Sequence, residues 1–396
     1  MTKPLEGIKI LDLSRILAGP YASMLLAELG AEIIKVERPG IGDDARHYGP
    51  FKNGQSVYFI SINRGKKSIT LNLKSAEGIE IIKKMVQDFD VLIENFKPGT
   101  MEKLGLGYDE LKKINPKLIY AATSGFGHTG PESSKPAYDM LVQAMGGIIS
   151  ITGWEDKPPT RVGMSIGDIG TALFTSIGIN AALYQREKTG VGQKVDIAML
   201  DCQIALLENA LVRQQVYGKP PKPVGNRHPT ITPFQAFKAK DDYFVLALGN
   251  DNLWKKFCKV IDREDLISDA RFISNDERTE NRKIIIPILE KFFVTKTAEE
   301  WIQFFDSNSI PSGPINTMDK VLENKQLQAR NMFVEVDDDI AGKTLVAGNA
   351  IKMSNIPEEA TRQPAPKIGE HTTEILGKYL GYDEQKLKQM KEDGII

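Results

Sequence analysis

The sequence predicts an α/β protein: a large domain built on a doubly wound parallel sheet, and a smaller domain of mixed α+β character. Three observations carry this. Short apolar runs alternate with amphipathic stretches over the first half of the chain. Strands separated by helices argue a parallel sheet covered on both faces. The pattern then breaks at a loop rich in proline and lysine, Gly218–Pro233. Beyond it, a hairpin precedes a run of helices.

In chain order, Ile8–Asp12 reads as a strand, Ser14–Pro20 as a loop, and Tyr21–Leu29 as an amphipathic helix closed by Gly30. Ile33–Val36 completes a βαβ unit. Ser68–Leu73, Asp90–Ile93 and Leu118–Ala122 read as further strands, with Gly78–Gln87 as a helix. Asp168–Arg186 is a long helical pattern, followed by Val195–Met199 and a helix over Cys202–Tyr217. Past the loop, Phe234–Leu248 is a hairpin turning at Lys240–Asp242, then helices cover Trp254–Ile261, Asn281–Phe293 and Ala298–Asn308. Lys343–Ala347 reads as a strand and Gly369–Leu380 as a helix. The boundaries expected are 1–217 for the first part of the large domain, 218–233 for the linker, 234–325 for the small domain, and 326–396 for the return to the large one.

Composition bounds the function. The 396 residues exceed what one core usually supports. With 41% hydrophobic and 26% charged residues the chain is an ordinary globular one. A net charge of -1 gives no global field for nucleic acid, so no nucleic-acid partner is expected. The two cysteines, Cys202 and Cys258, form no CxxC. Disulfides and structural zinc are not expected, and a cytoplasmic location is. The segment MTKPLEGIKILDLS lacks the pattern of a signal peptide, and Met140–Ile151 is too short to span a bilayer. No membrane partner is therefore expected. The four histidines, at 47, 128, 228 and 371, show no ligand spacing, so no metal is expected.

Gly125, Gly127 and Gly130 spell GxGxxG after a strand, which suggests a dinucleotide site. Pro131–Ser134 should then open a helix but reads as a loop, and no acidic residue follows at the ribose position. A flexible substrate loop fits better. Arg15, Arg38, Lys74 and Lys97 each follow a strand end. In a parallel sheet those ends share one rim, where cations can hold a phosphorylated ligand; the alternative is solvated side chains. Asp168, in Gly167-Asp168-Ile169-Gly170, fits a simple N-cap. A functional carboxylate fits the same place: a helix N-terminus favours its ionised form, and flanking glycines allow close approach of a substrate.

At these residues the chain resembles the family III CoA-transferases, the CaiB/BaiF family. The shared fragments include Leu17–Pro20, Ile34–Pro39, Asn63–Ser68, Leu71–Lys74, Glu94–Gly99, Ser124–Gly127, Ala137–Asp139, Gly167–Gly170 and Gly225–Pro229. Each is weak alone; their order along the whole chain is specific. The resemblance implies a Rossmann-like large domain assembled from both chain ends, and ring-shaped subunits interlocked as a homodimer. It implies coenzyme A as co-substrate, with acyl-CoA and carboxylic acid substrates, and Asp168 as a nucleophile passing through aspartyl anhydride and aspartyl-CoA stages. CoA contacts carry over to Leu17, Ala18, Arg38, Leu71, Asn72, Leu73, Lys74, Asn95, Phe96, Lys97, Lys103 and Tyr138. Lys103 replaces an arginine of the oxalate-using branch, and Pro136, beside Lys135, replaces a lysine. That branch's glycine-rich loop is absent, Gly249–Asn252 standing in its place, so oxalate and formate are not expected substrates. The chain looks closest to succinyl-CoA-dependent dicarboxylate branches.

A second carboxylate calls for a cation, and Arg46, Arg64 and Arg227 are candidates, with His128 and Asp139 as further substrate contacts. Two other activities compete. The α-methylacyl-CoA racemases of the same family need two acid–base groups, and carry a histidine where this chain has Tyr138. A tyrosine, with its reference pKa near 10, is a poor substitute; a displaced His128 would revive this reading. A catalytically silent CoA-binding protein is the third.

Overall fold

A computed structural model describes residues 3–396. The chain divides into two units. The larger comprises the residues up to Ile148, Arg161–Gly218 and Lys325–Ile396; the smaller comprises Ile149–Thr160 and Lys219–Asn324. Residues 149–160 thus cluster with the smaller unit, where the sequence reading put them in the larger.

The larger unit is organised by a six-stranded parallel sheet. Its strands are β1 (Lys9–Asp12), β2 (Glu32–Glu37), β3 (Lys67–Thr70), β4 (Val91–Glu94), β5 (Ile119–Ser124) and β6 (Lys194–Ala198). They lie in the order β3-β2-β1-β4-β5-β6, every pair parallel. Strands covered on both faces read as unbroken apolar runs, which is why Val91–Ile93 and Ile119–Ala122 were legible. On one face, Ile81, Ile82, Met85 and Val86 of α2 (Ala76–Val86) pack with Ile375 and Leu376 of the C-terminal region. On the other, Leu26 of α1 (Ala18–Glu28) packs with Ile179, Ala182 and Leu183 of α3 (Ile166–Thr189). α3 is long and apolar enough to cross a membrane by length and composition, but half of that stretch is buried within the protein. A small three-stranded sheet, Phe333–Asp338, Gly342–Ala347 and Thr361–Arg362, completes this unit.

The smaller unit sets an antiparallel sheet of Phe234–Lys238, Tyr243–Ala247 and Ser312–Pro314 against helices Asp251–Val260, Arg282–Phe293 and Ala298–Ser307. Its core is aromatic. Phe293 meets Phe244 edge-on at 5.1 Å, and Trp301 donates its indole N–H to the Phe293 carbonyl at 2.7 Å.

Several expected elements move. α1 begins at Ala18, because Gly19 and Pro20 fit a first turn, where proline lacks no needed donor. The single helix expected over Cys202–Tyr217 is two, Met199–Leu206 and Glu208–Tyr217, broken at Leu207 (φ -87°, ψ 43°). Asp139–Met145, Phe333–Asp338 and Glu384–Glu392 were not anticipated.

Candidate active site

The strand order reverses direction between β1 and β4, so the loops after these strands part and leave a crevice at the sheet's carboxyl edge. Two cavities open there, of about 580 and 230 Å³, with Arg15 and Phe96 in the walls of both. Asn95 clamps the parted loops together: its Oδ1 accepts the Arg15 N–H at 2.9 Å and its Nδ2 donates to the Arg15 carbonyl at 2.7 Å. Ile16, the next residue, sits at φ 68°, a left-handed conformation that a β-branched side chain rarely adopts. Asp43 Oδ1 holds it there by accepting the Ile16 N–H at 3.0 Å.

The larger cavity has apolar walls from Leu13, Val36, Pro39, Leu71, Leu73 and Phe96, with Arg15, Arg38 and Lys74 at its margin. Arg15 and Arg38 share one carboxylate, Asp44, at 3.2 and 2.5 Å. Both guanidiniums remain about half exposed and free to meet an anion. An apolar slot with a cationic margin suits a flat ring bearing phosphates. The structure therefore brings together three of the four strand-end cations here, and Lys97 joins Arg15 at the smaller cavity.

The smaller cavity holds Asp168, with Leu17, Ala18, Asn95, Lys97, Tyr138 and Met199 around it. Asp168 is the third residue of α3, so it is not the N-cap; Ser165 takes that place without capping through its side chain. Asp139 caps from outside: its Oδ1 accepts the Gly167 N–H at 2.8 Å. Its Oδ2 takes a bond from Gln143 Nε2 at 2.8 Å and lies 3.7 Å from Arg161. Asp139 is thus engaged in building the Asp168 turn, and the substrate role expected for it is corrected on that ground.

Two further expectations fail here. The helix N-terminus does not keep Asp168 at an ordinary carboxylate pKa: burial, with the Asp139 charge added, raises it to about 7. Nor do the flanking glycines leave room for a substrate. A Cβ on Gly167 would meet Asp139 Oδ1 at 2.9 Å, and one on Gly170 would meet Leu206 Cδ1 at 2.9 Å. They allow close packing of the turn.

Of the predicted contacts, Leu71, Asn72, Leu73, Lys74 and Arg38 line the larger cavity, Phe96 lines both, and Leu17, Ala18, Asn95, Lys97 and Tyr138 line the smaller. Tyr138 is 74% exposed. Lys103 is exposed on Thr100–Lys103 and lines neither cavity. Arg46 is spent on Glu37, at 2.6 and 2.7 Å, and its guanidinium lies 3.7 Å over the Phe59 ring. Arg64 is buried against Glu28, the Ser61 carbonyl and the Ala347 carbonyl. Both are corrected from substrate contacts to structural ones. Arg227 belongs to the smaller unit, where burial and the neighbouring Arg282 lower its pKa. His128 lines neither cavity and is occupied by Lys194 Nζ, 2.9 Å from its Nδ1. Sequence reasoning missed Met199, Thr100 and Tyr58. The Tyr58 phenol is raised well above its usual pKa, by burial and then by the charge of Asp168; it stands among apolar residues in Val57–Ile60, where no motif marks it.

The roles given to Arg46 and Arg64 predict a separation of effects. Arg46→Ala takes the guanidinium from buried Glu37, which keeps the Ser68 hydroxyl, the Asp43 N–H and the nearby Lys35 charge, and is expected to lose about 2–3 kcal/mol of stability in chemical denaturation. Arg64→Ala should lose less, since Arg362 still holds Glu28 at 2.8 Å. Neither should alter the ratio of diacid to monoacid turnover in the folded fraction; a changed ratio would return that residue to the substrate site.

The model of CoA-transferase family III matches residues 5–372. Succinyl-CoA:glutarate CoA-transferase of Mus musculus is 41% identical over 395 residues, covering 100% of this chain and 90% of the relative. Acetyl-CoA:oxalate CoA-transferase of Acetobacter aceti is 44% identical over 368 residues, 93% of each chain. A crystal structure of a CaiB/BaiF family protein from Brucella suis superposes with a TM-score of 0.83 at 38% identity, covering 96% of this chain and 100% of that one. The cleft at the strand-order reversal, its cationic margin and the full-length matches agree: this chain belongs to CoA-transferase family III and is a CoA-transferase.

Proposed function

We propose that the protein moves CoA from an acyl-CoA, succinyl-CoA or a close analogue, to a free carboxylic acid through covalent intermediates on Asp168. The observation that carries this reading is one carboxyl group, at about pKa 7, in a cavity that shares Arg15 and Phe96 with a cation-edged apolar slot. In the reaction the Asp168 carboxylate attacks the thioester carbonyl, and CoA leaves as its thiolate. The thiolate attacks the aspartyl carbonyl of the resulting anhydride, releasing the first acid and leaving aspartyl-CoA. The acceptor carboxylate then attacks that thioester, expelling thiolate and forming a second anhydride. Attack of the thiolate on the acceptor's acyl carbon frees the new acyl-CoA and restores Asp168. Each step exchanges one oxygen or sulfur nucleophile for another, so thioester energy is kept if water is excluded.

Arg15, Arg38, Lys74 and Lys97 are the residues for the anionic part of CoA, and the slot walls for its adenine. Names among the relatives include both a glutarate and an oxalate user, so both acids belong among the acceptors tested. The racemase reading gains nothing from His128, which is held away by Lys194. We also propose a homodimer, supported by exposed Leu173, Ile177 and Tyr184 along α3 and Val216 and Tyr217 beyond it. A cytoplasmic enzyme is in keeping with two buried free cysteines.

Succinyl-CoA incubated with glutarate, oxalate and other acids in heavy water, read by mass spectrometry, tests the proposal. New acyl-CoA species are expected. Deuterium at the α-carbon of a branched acyl-CoA without acyl exchange would replace this reading by the racemase one.

A further inference from the structure

Glu94 ends β4 and leads into the loop that places Asn95, Phe96 and Lys97 at the cavities. Its side chain is buried, 1% exposed, and among the described residues no lysine or arginine nitrogen pairs with it. Oε2 accepts the Phe96 N–H at 2.7 Å. Oε1 lies 3.8 Å from His128 Nε2. The buried Tyr120 hydroxyl faces Glu94, and neither it nor His128 Nε2 has another hydrogen-bond partner. Lys194 fixes the tautomer of that histidine. An ammonium can only donate, so Nδ1 accepts from Lys194 at 2.9 Å and the ring proton sits on Nε2, facing Glu94.

A carboxyl group buried without a cation is favoured in its neutral form. The charged groups facing Glu94 are Glu102 on Thr100–Lys103 and Lys194 and Asp196 on β6. Burial, reinforced by Glu102 and Asp196, outweighs the Phe96 N–H and Lys194 and raises Glu94 to about 8. The loop it supports also carries Lys97, assigned to an anionic ligand. A negative charge directly behind that loop would oppose the ligand.

We infer that Glu94 is a positioning residue for the CoA-binding loop, an uncharged acid that fixes the Phe96 amide without setting a charge against the bound anion. This rests on the CoA-transferase reading. When Glu94 ionises, the His128 Nε2–H faces the new charge and the loop gains a buried anion at its back.

The test is calorimetric binding of free CoA to the full-length protein between about pH 7 and 9, with Glu94→Gln and Glu94→Ala alongside. The wild type is expected to bind about fivefold more weakly at the upper end. Glutamine can still accept from Phe96 and cannot ionise, so Glu94→Gln should match wild type at neutral pH and lose most of this weakening. Glu94→Ala, without the acceptor, should bind about tenfold more weakly throughout. A Glu94→Gln variant with the full wild-type pH dependence overturns the inference, and that comparison stands even if the alanine variant does not fold. Glu94→Ala binding as tightly as wild type also overturns it. A wild type that binds no CoA at any pH refutes instead the CoA reading on which it rests.

Discussion

Asp168→Asn is expected to reduce acyl exchange by a factor on the order of 10⁴ or more, the scale seen when a covalent nucleophile is removed. The same change is expected to make the protein more stable. Burial and the Asp139 charge raise Asp168 from the ordinary carboxylate value of 3.8 to about 7 in the folded protein, so the folded state holds a proton that the unfolded chain has lost across that interval. Stability contributed by the protonated form is present at acid pH and is lost as pH rises towards 7. Above it, the fold carries a buried charge. That difference corresponds to about 4 kcal/mol, and partial solvent access and the desolvation of an amide reduce the expected gain for asparagine to about 2 kcal/mol. Thermal melting at pH 8 should show the variant above wild type, and melting at pH 4 should show little difference. An inactive variant with unchanged stability at pH 8 would mean that Asp168 is not strained by its site.

The same ionisation predicts the activity profile. Attack requires the carboxylate, about half formed at pH 7 and about a tenth formed at pH 6. Turnover should therefore climb through neutral pH. Asp139 is the second cause of the raised value, after burial. Asp139→Asn keeps an oxygen for the Gly167 N–H and removes the charge, so the limb should shift to lower pH while the fold persists. A limb that stays in place would leave burial as the whole cause.

What was legible in the sequence follows from how far each interaction reaches along the chain. The parallel strands could be read because being buried on both faces imposes a local apolar run. The strand-end cations could be read because the sheet rule gathers loop residues without knowledge of their side chains. The rejection of GxGxxG as a dinucleotide motif agrees with the loop observed between Ser124 and Tyr138. Asp168 stood out only through the family resemblance, since an N-cap explained it equally well. The parts that escaped depend on distant partners. Asp139 caps a turn 28 residues away, Arg46 meets Glu37, and Arg64 meets a glutamate 36 residues earlier. An arginine's charge marks it as a ligand candidate, and only tertiary placement reveals that a buried glutamate already holds it.

Under the crevice lies the feature with the largest expected effect on folding. Lys35, fully buried, donates to the Ser14 carbonyl at 2.8 Å and sits 2.7 Å from Asp43 Oδ2. Asp12, also fully buried, takes a bond from Lys66 at 3.2 Å and from the hydroxyls of Ser14 and Ser23. Burial alone would raise Asp12, but Lys66, Lys35 and the two hydroxyls outweigh it and hold the carboxyl at about 2. Desolvated charges of this kind are tolerated only while each has its partner. Lys35→Met keeps the volume and strips a cation from between Asp43, Asp12 and Glu37, the three carboxylates that raise its own pKa against burial. The expected loss is about 3–5 kcal/mol, read as a lower denaturation midpoint. The effect should extend to the site, because Lys35 and Asp43 together hold the Ser14–Ile16 backbone with Ile16 in its left-handed conformation. CoA affinity should therefore fall in the fraction that still folds. Adding Asp43→Asn to Lys35→Met removes the orphaned charge and should recover part of the stability. It should not recover CoA affinity fully, because the Ser14 carbonyl still lacks its donor. If the single variant melts like wild type, these ion pairs do not stabilise the fold; if the double variant is worse than the single, the loss comes from packing and not from unpaired charge.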